Sequence, residues 1–283
     1  MSVAVRLLDA PDTGRVGGRL RERLGVGGIV AAAFVLLLAL AAAFASVVAP
    51  YAPNHEDFLN TSSGPSAAHL LGTDELGRDI LSRLIWGAQP SLLGPLIVIS
   101  LATVIALLAA STAVWCGGKV DLVISRILDF FFAFPGLLLA ILVVALYGPG
   151  LLQCSFSLGI AYTPWIARVT RSAMLKERSK PYIAAVEVQG LSGKAIALRH
   201  LIPNVSSVIW SQATISFGYA LIDLAALSFL GLNIQPPRAD WGVLVNNESA
   251  LLQGHPAEVI YPGILIIACV SAVTYVGNQL ASE

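Results

Sequence analysis

The sequence is short of charge: Asp, Glu, Lys and Arg make up 12% of its 283 residues, against about 25% in an ordinary soluble domain. With 56% hydrophobic residues and a mean hydropathy of +0.77, that scarcity excludes a fold that hides its apolar surface from water on its own. It also lacks an excess of either sign, so nothing points to nucleic acid as a partner. Cysteine is scarce: Cys116, Cys154 and Cys269 lie in or beside apolar runs, have no metal-ligand spacing and read as small core hydrophobes. Histidine is scarce too, and none of His55, His69, His200 and His255 is placed with a metal partner. Three of these four fall in expected outside loops, where solvation is the usual fate. The chain has no His-Glu-x-x-His and no Gly-x-Ser-x-Gly. Residues 190–194 superficially imitate a phosphate loop, but the spacing is wrong and Ala195 stands where a hydroxyl would hold the metal. The chain therefore reads as a non-enzyme with no metal or cofactor of its own.

What is abundant is long apolar runs. Those at 26–48, 92–115, 122–147, 151–168, 206–232 and 259–280 approach or exceed the ~18 residues that cross a bilayer. Backbone groups in lipid must pair internally, and runs this long do so as helices, so the fold class is an all-α integral membrane protein with six transmembrane helices. The first run is longer than the core of a signal peptide and reads as an uncleaved anchor, although residues 43–45 look like a cleavage site. Residues 1–25 form a polar tail. Residues 49–91 form a polar loop, within which 79–87 carry Ile80, Leu81, Leu84, Ile85 and Trp86 at amphipathic spacing, the pattern of a short interfacial helix. The five-helix remainder, 92–283, contains the polar loop 169–205.

Charge sets the orientation. With the N-terminus inside, Arg6, Arg15, Arg19, Arg21, Arg23, Lys119, Arg126, Arg168, Arg171, Lys176, Arg178, Lys180, Lys194 and Arg199 are all cytoplasmic, and only Arg78, Arg83 and Arg238 are outside. The positive-inside rule selects this orientation, with both termini and residues 169–205 in the cytoplasm.

The polar island at 181–204 is patterned as two short helices about a turn. Ile183, Val186 and Gly190 share one helical face, and Leu191, Ala195 and Leu198 share another after the glycine. Lys194, Arg199 and His200 supply polar edges, and Pro203 stands just before the next span, where it can open a helix. Such a surface can dock a partner or pack on its own bundle. Two acids lie inside apolar runs, and each needs a partner or water. Asp129 has Arg126 one helical turn away, a structural pair or a substrate contact; Asp223 is a candidate for lining a pathway. In the outer loop, Asp74, Arg78, Asp79 and Arg83 can pair among themselves, with Gly72 and Gly77 at the turns.

Ordered motifs over residues 71–280 resemble one family. They are the run 71–79 followed by Ser82, Arg83, Gly87, Ala88, Ser91 and Leu92; then Asp121, Arg126, Asp129, Pro135, Gly148 and Pro149; then Pro164, Ala167 and Arg168; and finally residues 227–232, Gln235, Pro236, Pro237, Trp241 and Gly242. Together they look like a permease subunit of bacterial dipeptide, oligopeptide or nickel ABC importers, of the type I build.

The resemblance implies a plasma (inner) membrane subunit that imports dipeptides or oligopeptides by alternating access. It also implies a second homologous permease, two ATPase subunits carrying ATP and Mg, and an extracytoplasmic substrate-binding protein as partners. In that family a Glu-Ala-Ala triplet is followed by Gly and, thirteen positions on, by Pro; Gly190 and Pro203 keep that interval, while Ala184 stands in place of the glutamate and Glu187 is close by. The implied ATPase-coupling residues are Tyr182, Ile183, Ala184, Ala185, Val186, Glu187, Gly190, Leu191, Ser192, Arg199, His200 and Pro203, with Asp129 and Asp223 as pathway candidates. The rival readings are an importer of nickel, haem or another small ligand with the same architecture and, in a different class, a secondary transporter or channel.

Overall fold

A computed structural model describes residues 16–281. Arg6 and Arg15, counted in the charge pattern, lie outside the described residues. The described chain is helical: α1 (Val16–Ala43), α2 (Ala45–Val48), α3 (Ile80–Cys116), α4 (Gly118–Phe132), α5 (Gly136–Tyr147), α6 (Leu151–Arg178), α7 (Pro181–Val188), α8 (Gly193–Ile196), a π-helical turn (Ala197–Leu201), α9 (Ile202–Asn204), α10 (Ser206–Phe229), α11 (Trp241–Val245), α12 (Glu248–Leu252) and α13 (Ala257–Ala281). Four helices are long and apolar enough to cross a membrane: α1 from Gly25, α3, α10 and α13. A fifth crossing results if α4 and α5, bent by 78°, form one broken span.

α3 is the axis of the bundle. It packs along α6 and α10, while α13 lies against α10 and α1, and α5 against α6. Ala102, Ala106 and Ala110, one helical turn apart, are completely buried. Such a small-residue stripe lets helices approach where lipid supplies no hydrophobic drive between them. Gly159 on α6 makes the same accommodation, since a Cβ there would come within 2.8 Å of Leu101.

The structure departs from the sequence pattern at several points. The expected interfacial helix at 79–87 is the first part of α3, which continues through Pro90 and Pro95. Its apolar residues Ile80, Leu84 and Ala88 face Trp241, Leu221 and Cys269, so the burial is against protein. The expected third span at 122–147 breaks at residues 133–135, with Pro135 capping α5; proline lacks the N–H that a continuous helix would need. The fourth helix does not stop at 168 but runs to Arg178, and the first begins at Val16 with a break at Gly25, inside the segment read as a polar tail. Finally, Cys154 and Cys269 are buried as expected, but Cys116 is exposed at the end of α3.

The outer loop folds onto the start of α3. Asp79 caps it, accepting from the Ser82 amide at 2.7 Å and the Ser82 hydroxyl at 2.6 Å. His69, read as a solvated loop histidine, is instead buried, with Nδ1 3.0 Å from Asp79 and its ring 5.0 Å from that of Tyr51. Arg78 donates to Asp74 at 2.7 Å, with Arg83 3.7 Å from the same carboxylate. A second node ties the loop before α11 to α3: Asp240 accepts from Ser91 at 2.8 Å and from the Gly242 amide at 2.9 Å. Burial pushes its carboxyl above the usual carboxylate range, against the pull of those donors. Trp241, fully buried, donates its indole N–H to the Leu84 carbonyl at 2.9 Å.

Replacing Trp241 with Ala removes both the packing and that bond. A loss of about 3–5 kcal/mol is expected, read as a clear fall in melting temperature in detergent; an unchanged melting temperature would rule out this node as a fastener.

Candidate functional site

The polar island occupies the basic end of the bundle and is built from short pieces. Pro181 opens α7 at a position whose missing N–H costs nothing. Gly190, with φ +81°, turns the chain where a β-branched residue would be strained. Ser192 then caps α8, accepting from the Ala195 amide at 3.4 Å. The two short helices about a glycine turn are as the spacing predicted.

Their inner side belongs to the bundle. Ile183, Ile196, Leu201 and Val205 are buried together with Ala110 and Val114 of α3, Met174 of α6 and Ile209 of α10. Val186 and Leu191 pack half-buried against this cluster. The expected grouping of Leu191, Ala195 and Leu198 fails at its last member, because Leu198 is 57% exposed. The π-helical turn at 197–201 changes the register, so that Ile196, Ala197 and Leu201 point inward instead.

Polar contacts lock α7 to its neighbours. Tyr182 donates to Glu177 at 2.6 Å and accepts from Asn204 at 2.7 Å, while Lys180 pairs with Glu177 at 2.7 Å. The bonds from Lys180 and Tyr182 hold the Glu177 carboxyl below its usual range; burial and then the hydrogen bond to Glu177 push the Tyr182 phenol up. His200 sets its ring edge against that of Tyr182. Arg178, at the end of α6, lies 4.9 Å over the Trp115 ring, donates to the Val114 carbonyl and stands 3.9 Å from Glu187. Trp115 also closes on Gly193, where an added Cβ would fall inside the indole.

The outer side is exposed, and its one ion pair among the described residues is the 3.9 Å contact of Glu187 with Arg178. Ala184, Ala185, Glu187, Gly190, Ser192 and Arg199 are exposed, and Val188 is 89% exposed. Pro203 sits in the first turn of α9, where it continues the path into α10. The candidate set thus divides into an anchored half, with Ile183 buried and Val186 and Leu191 half-buried, and a presented half on α7 and the Gly190 turn. Arg178, Trp115 and Glu177 are structural neighbours of the island that the local pattern did not reveal, because the first two meet across 63 residues. Val188 could have been found as the apolar residue off the Ile183 face.

The two acids in apolar runs both find partners on α6. Asp129 accepts from Arg168 at 2.6 Å, not from Arg126; Arg168 also lies 4.4 Å over the Phe132 ring. Both members of this pair are nearly half exposed. Further toward the basic end of α6, Arg171 grips Asp121 through two bonds of 2.7 and 2.5 Å. Asp223 on α10, half-buried, accepts from Tyr162 at 2.9 Å. Tyr162 and Arg168 are six residues apart on α6, about 9 Å along its axis, so the acids do not form one cluster.

Comparison with known proteins agrees with this architecture. The family model described as "Binding-protein-dependent transport system inner membrane component" matches residues 102–281. The chain is 35% identical over 255 residues to the dipeptide transport system permease protein DppC of Alkalihalophilus pseudofirmus, covering 90% of this chain and 83% of that one. It is 38% identical over 253 residues to the glutathione transport system permease protein GsiD of Escherichia coli, covering 89% and 84%. Among solved structures, an inward-facing MetNI methionine ABC transporter aligns with a TM-score of 0.60 at 17% identity, over 71% of this chain and 95% of that one. At that identity the likeness speaks for the fold alone.

Because Glu177 is held in its charged form, the lock on α7 is present above its ordinary value of 4.5 and is lost as pH falls through the lower value of the folded state. The protection of amides 182–188 against hydrogen exchange, taken relative to the intrinsic rate at each pH, should therefore fall on acidification, and Glu177→Gln should lower it already at neutral pH. Protection that is independent of pH and equal in both proteins would refute the lock.

Proposed function

The chain belongs to the binding-protein-dependent transport system inner membrane component family, and from that premise we propose that it carries dipeptides or other short peptides into the cell by alternating access. It is a membrane-embedded transport subunit of an ABC importer, not an enzyme. The cargo reading is supported by relatives named for dipeptide and for glutathione transport, the latter itself a tripeptide. ATP and Mg reside on two partner ATPase subunits, and an extracytoplasmic binding protein delivers the peptide. A second, homologous permease completes the passage.

Six crossings are proposed: α1, α3, the bent α4–α5 pair, α6 over residues 151–168, α10 and α13, with both termini cytoplasmic. α6 earns its place by length, since 28 residues span about 42 Å, enough to cross the ~30 Å hydrocarbon layer and emerge with a polar end. The basic residues of that end, Arg168 to Arg199, then lie on the cytoplasmic side.

The single observation that carries the mechanism is the two-sidedness of 181–204. Its inner face is fastened to α3, α6 and α10, whereas its outer face, from Tyr182 through Ala184, Ala185, Glu187, Gly190 and Ser192 to Arg199, is open. That is the form of a helix presented to a groove on a partner, here the ATPase. Ile183, Val186 and Leu191 hold the element from below, with His200 against Tyr182 and Pro203 leading into α10. Closure of the ATPases would displace this element, and its buried anchors would pass the movement to the spans.

Asp129 and Asp223 are proposed to border the pathway. A charged group in lipid costs at least ~2.5 kcal/mol on insertion scales, so the half-exposed pair Asp129–Arg168 belongs beside water or a second permease.

Gly190→Ile tests the coupling. Forcing a β-branched residue to positive φ costs about 1–2 kcal/mol, and ATP-driven peptide uptake in vesicles holding the full transporter should fall about tenfold while ATP hydrolysis persists. Uptake at the normal rate would overturn the coupling role. For the orientation, a cysteine at Ser192 should react with an impermeant reagent only after the cells are permeabilised; labelling of intact cells would invert the topology.

A further inference from the structure

On the face opposite the polar island, the outer loop and the start of α3 form one wall of a cavity of about 460 Å³; the loop from Pro236 to Asn247 and the start of α13 form the other. That volume is in the range of small-molecule sites, roughly 300–1,000 Å³. Its floor is apolar, with Ile80, Leu84 and Val243, and its polar lining includes Asp74, Glu75, Arg78, Arg83, Asn247 and Glu258.

The charges in this lining are unequally satisfied. Asp74 is fully engaged: Arg78 takes one oxygen at 2.7 Å, and the Leu76 and Arg78 amides take the other at 3.0 and 2.9 Å. Glu75 accepts from Ser249 at 2.7 Å. Arg83, only 4% exposed, donates through Nη1 to the Pro53 carbonyl at 3.1 Å, but its Nε has no hydrogen-bond acceptor and stands 3.7 Å from the occupied Asp74 carboxylate. Glu258, 7% exposed, accepts from Asn247 at 2.9 Å, and no Lys or Arg side chain comes within ion-pair distance of it among the described residues. A buried cation short of an acceptor and a buried carboxylate short of a cation are each costly alone. One ligand bearing both complementary groups would satisfy them together.

We propose that this cavity is a binding site on the permease for a zwitterionic short peptide, with the peptide's ammonium at Glu258 and its carboxylate at the Arg83 guanidinium. The site rests on the reading of the chain as a peptide importer whose outer loop faces the extracytoplasmic side. It is a place where cargo leaving the binding protein is held before it enters the spans. The apolar floor tolerates differing side chains, while the two charges require both free ends.

Titration calorimetry on the assembled transporter in nanodiscs, without binding protein, tests this with dialanine as the probe. Saturable binding is expected, weakened at least about tenfold by Glu258→Gln and by N-acetylation of the probe, since each removes one charge-assisted bond. N-acetylation should then weaken binding to the Glu258→Gln protein little further. Arg83→Gln with a peptide amide forms the matching pair at the other end. Because Arg83 is buried, the nearly isosteric Glu258→Gln carries the decision if the arginine variant fails to fold. Absence of saturable binding to the wild type, or full-strength binding of N-acetyl-dialanine, overturns the site. Dialanine uptake, measured in the same preparation with binding protein and ATP, separates the two readings. Uptake without direct binding sinks the cavity assignment and keeps the importer; binding without uptake of any short peptide keeps the site and sinks the cargo.

Discussion

The apolar cluster under the polar island governs what the rest of the molecule can do. Ile183 and Ile196 from the island, Val114 from α3, Met174 from α6 and Ile209 from α10 exclude water from one another. Fully burying a side chain of this size contributes about 1.5–3 kcal/mol, so several of them together outweigh the ordering of a few loop residues, at about 1–2 kcal/mol each. The island therefore cannot shift alone. Arg178 strengthens this by reaching across from α6 to the end of α3, where its guanidinium covers Trp115 and Trp115 in turn closes on Gly193. A push on the exposed turn at Gly190 is delivered to three long helices at once. Packed cores switch between discrete arrangements and do not deform smoothly, which is what a transmission element needs.

How much of this was legible in the sequence depended on whether a feature was local. Four of the apolar runs became helices long and apolar enough to cross a membrane among the described residues, and the glycine at 190 marked a turn that has the left-handed φ it was expected to need. Features that depend on contacts distant in sequence were not legible. Residues 49–91 looked like a loop because their composition is polar, yet α3 begins at Ile80 and passes through Pro90; neighbouring helices and local adjustment can re-satisfy the freed backbone groups. His69 looked solvated because its segment is polar, yet Tyr51, Asp57 and Asp79 surround it. Asp129 was matched to the nearest arginine in sequence, whereas its bond comes from Arg168, 39 residues on. Leu198 was assigned by a regular helical period that the π-helical turn does not keep. Local spacing thus predicted which segments become helices, and missed which side chains those helices bring together.

The broken third span then has a structural logic. α5 has 12 residues, about 18 Å of helix, too short to cross the ~30 Å hydrocarbon layer alone. α4 sets Asp121, Ser125 and Asp129 four residues apart on one face, and α6 meets the first and last with Arg171 and Arg168. α6 therefore makes three different engagements along its length: Tyr162 with Asp223 of α10, Arg168 and Arg171 with α4, and Arg178 with the tip of α3 and with α7. From Tyr162 to Arg178 is 16 residues, about 24 Å of continuous helix. On the proposed reading, a tilt imposed at the ATPase end does not need a chain of side-chain steps to reach Asp223. The helix that holds the coupling element also holds the intramembrane acid, and although it contains Pro164 it runs without a break from one to the other.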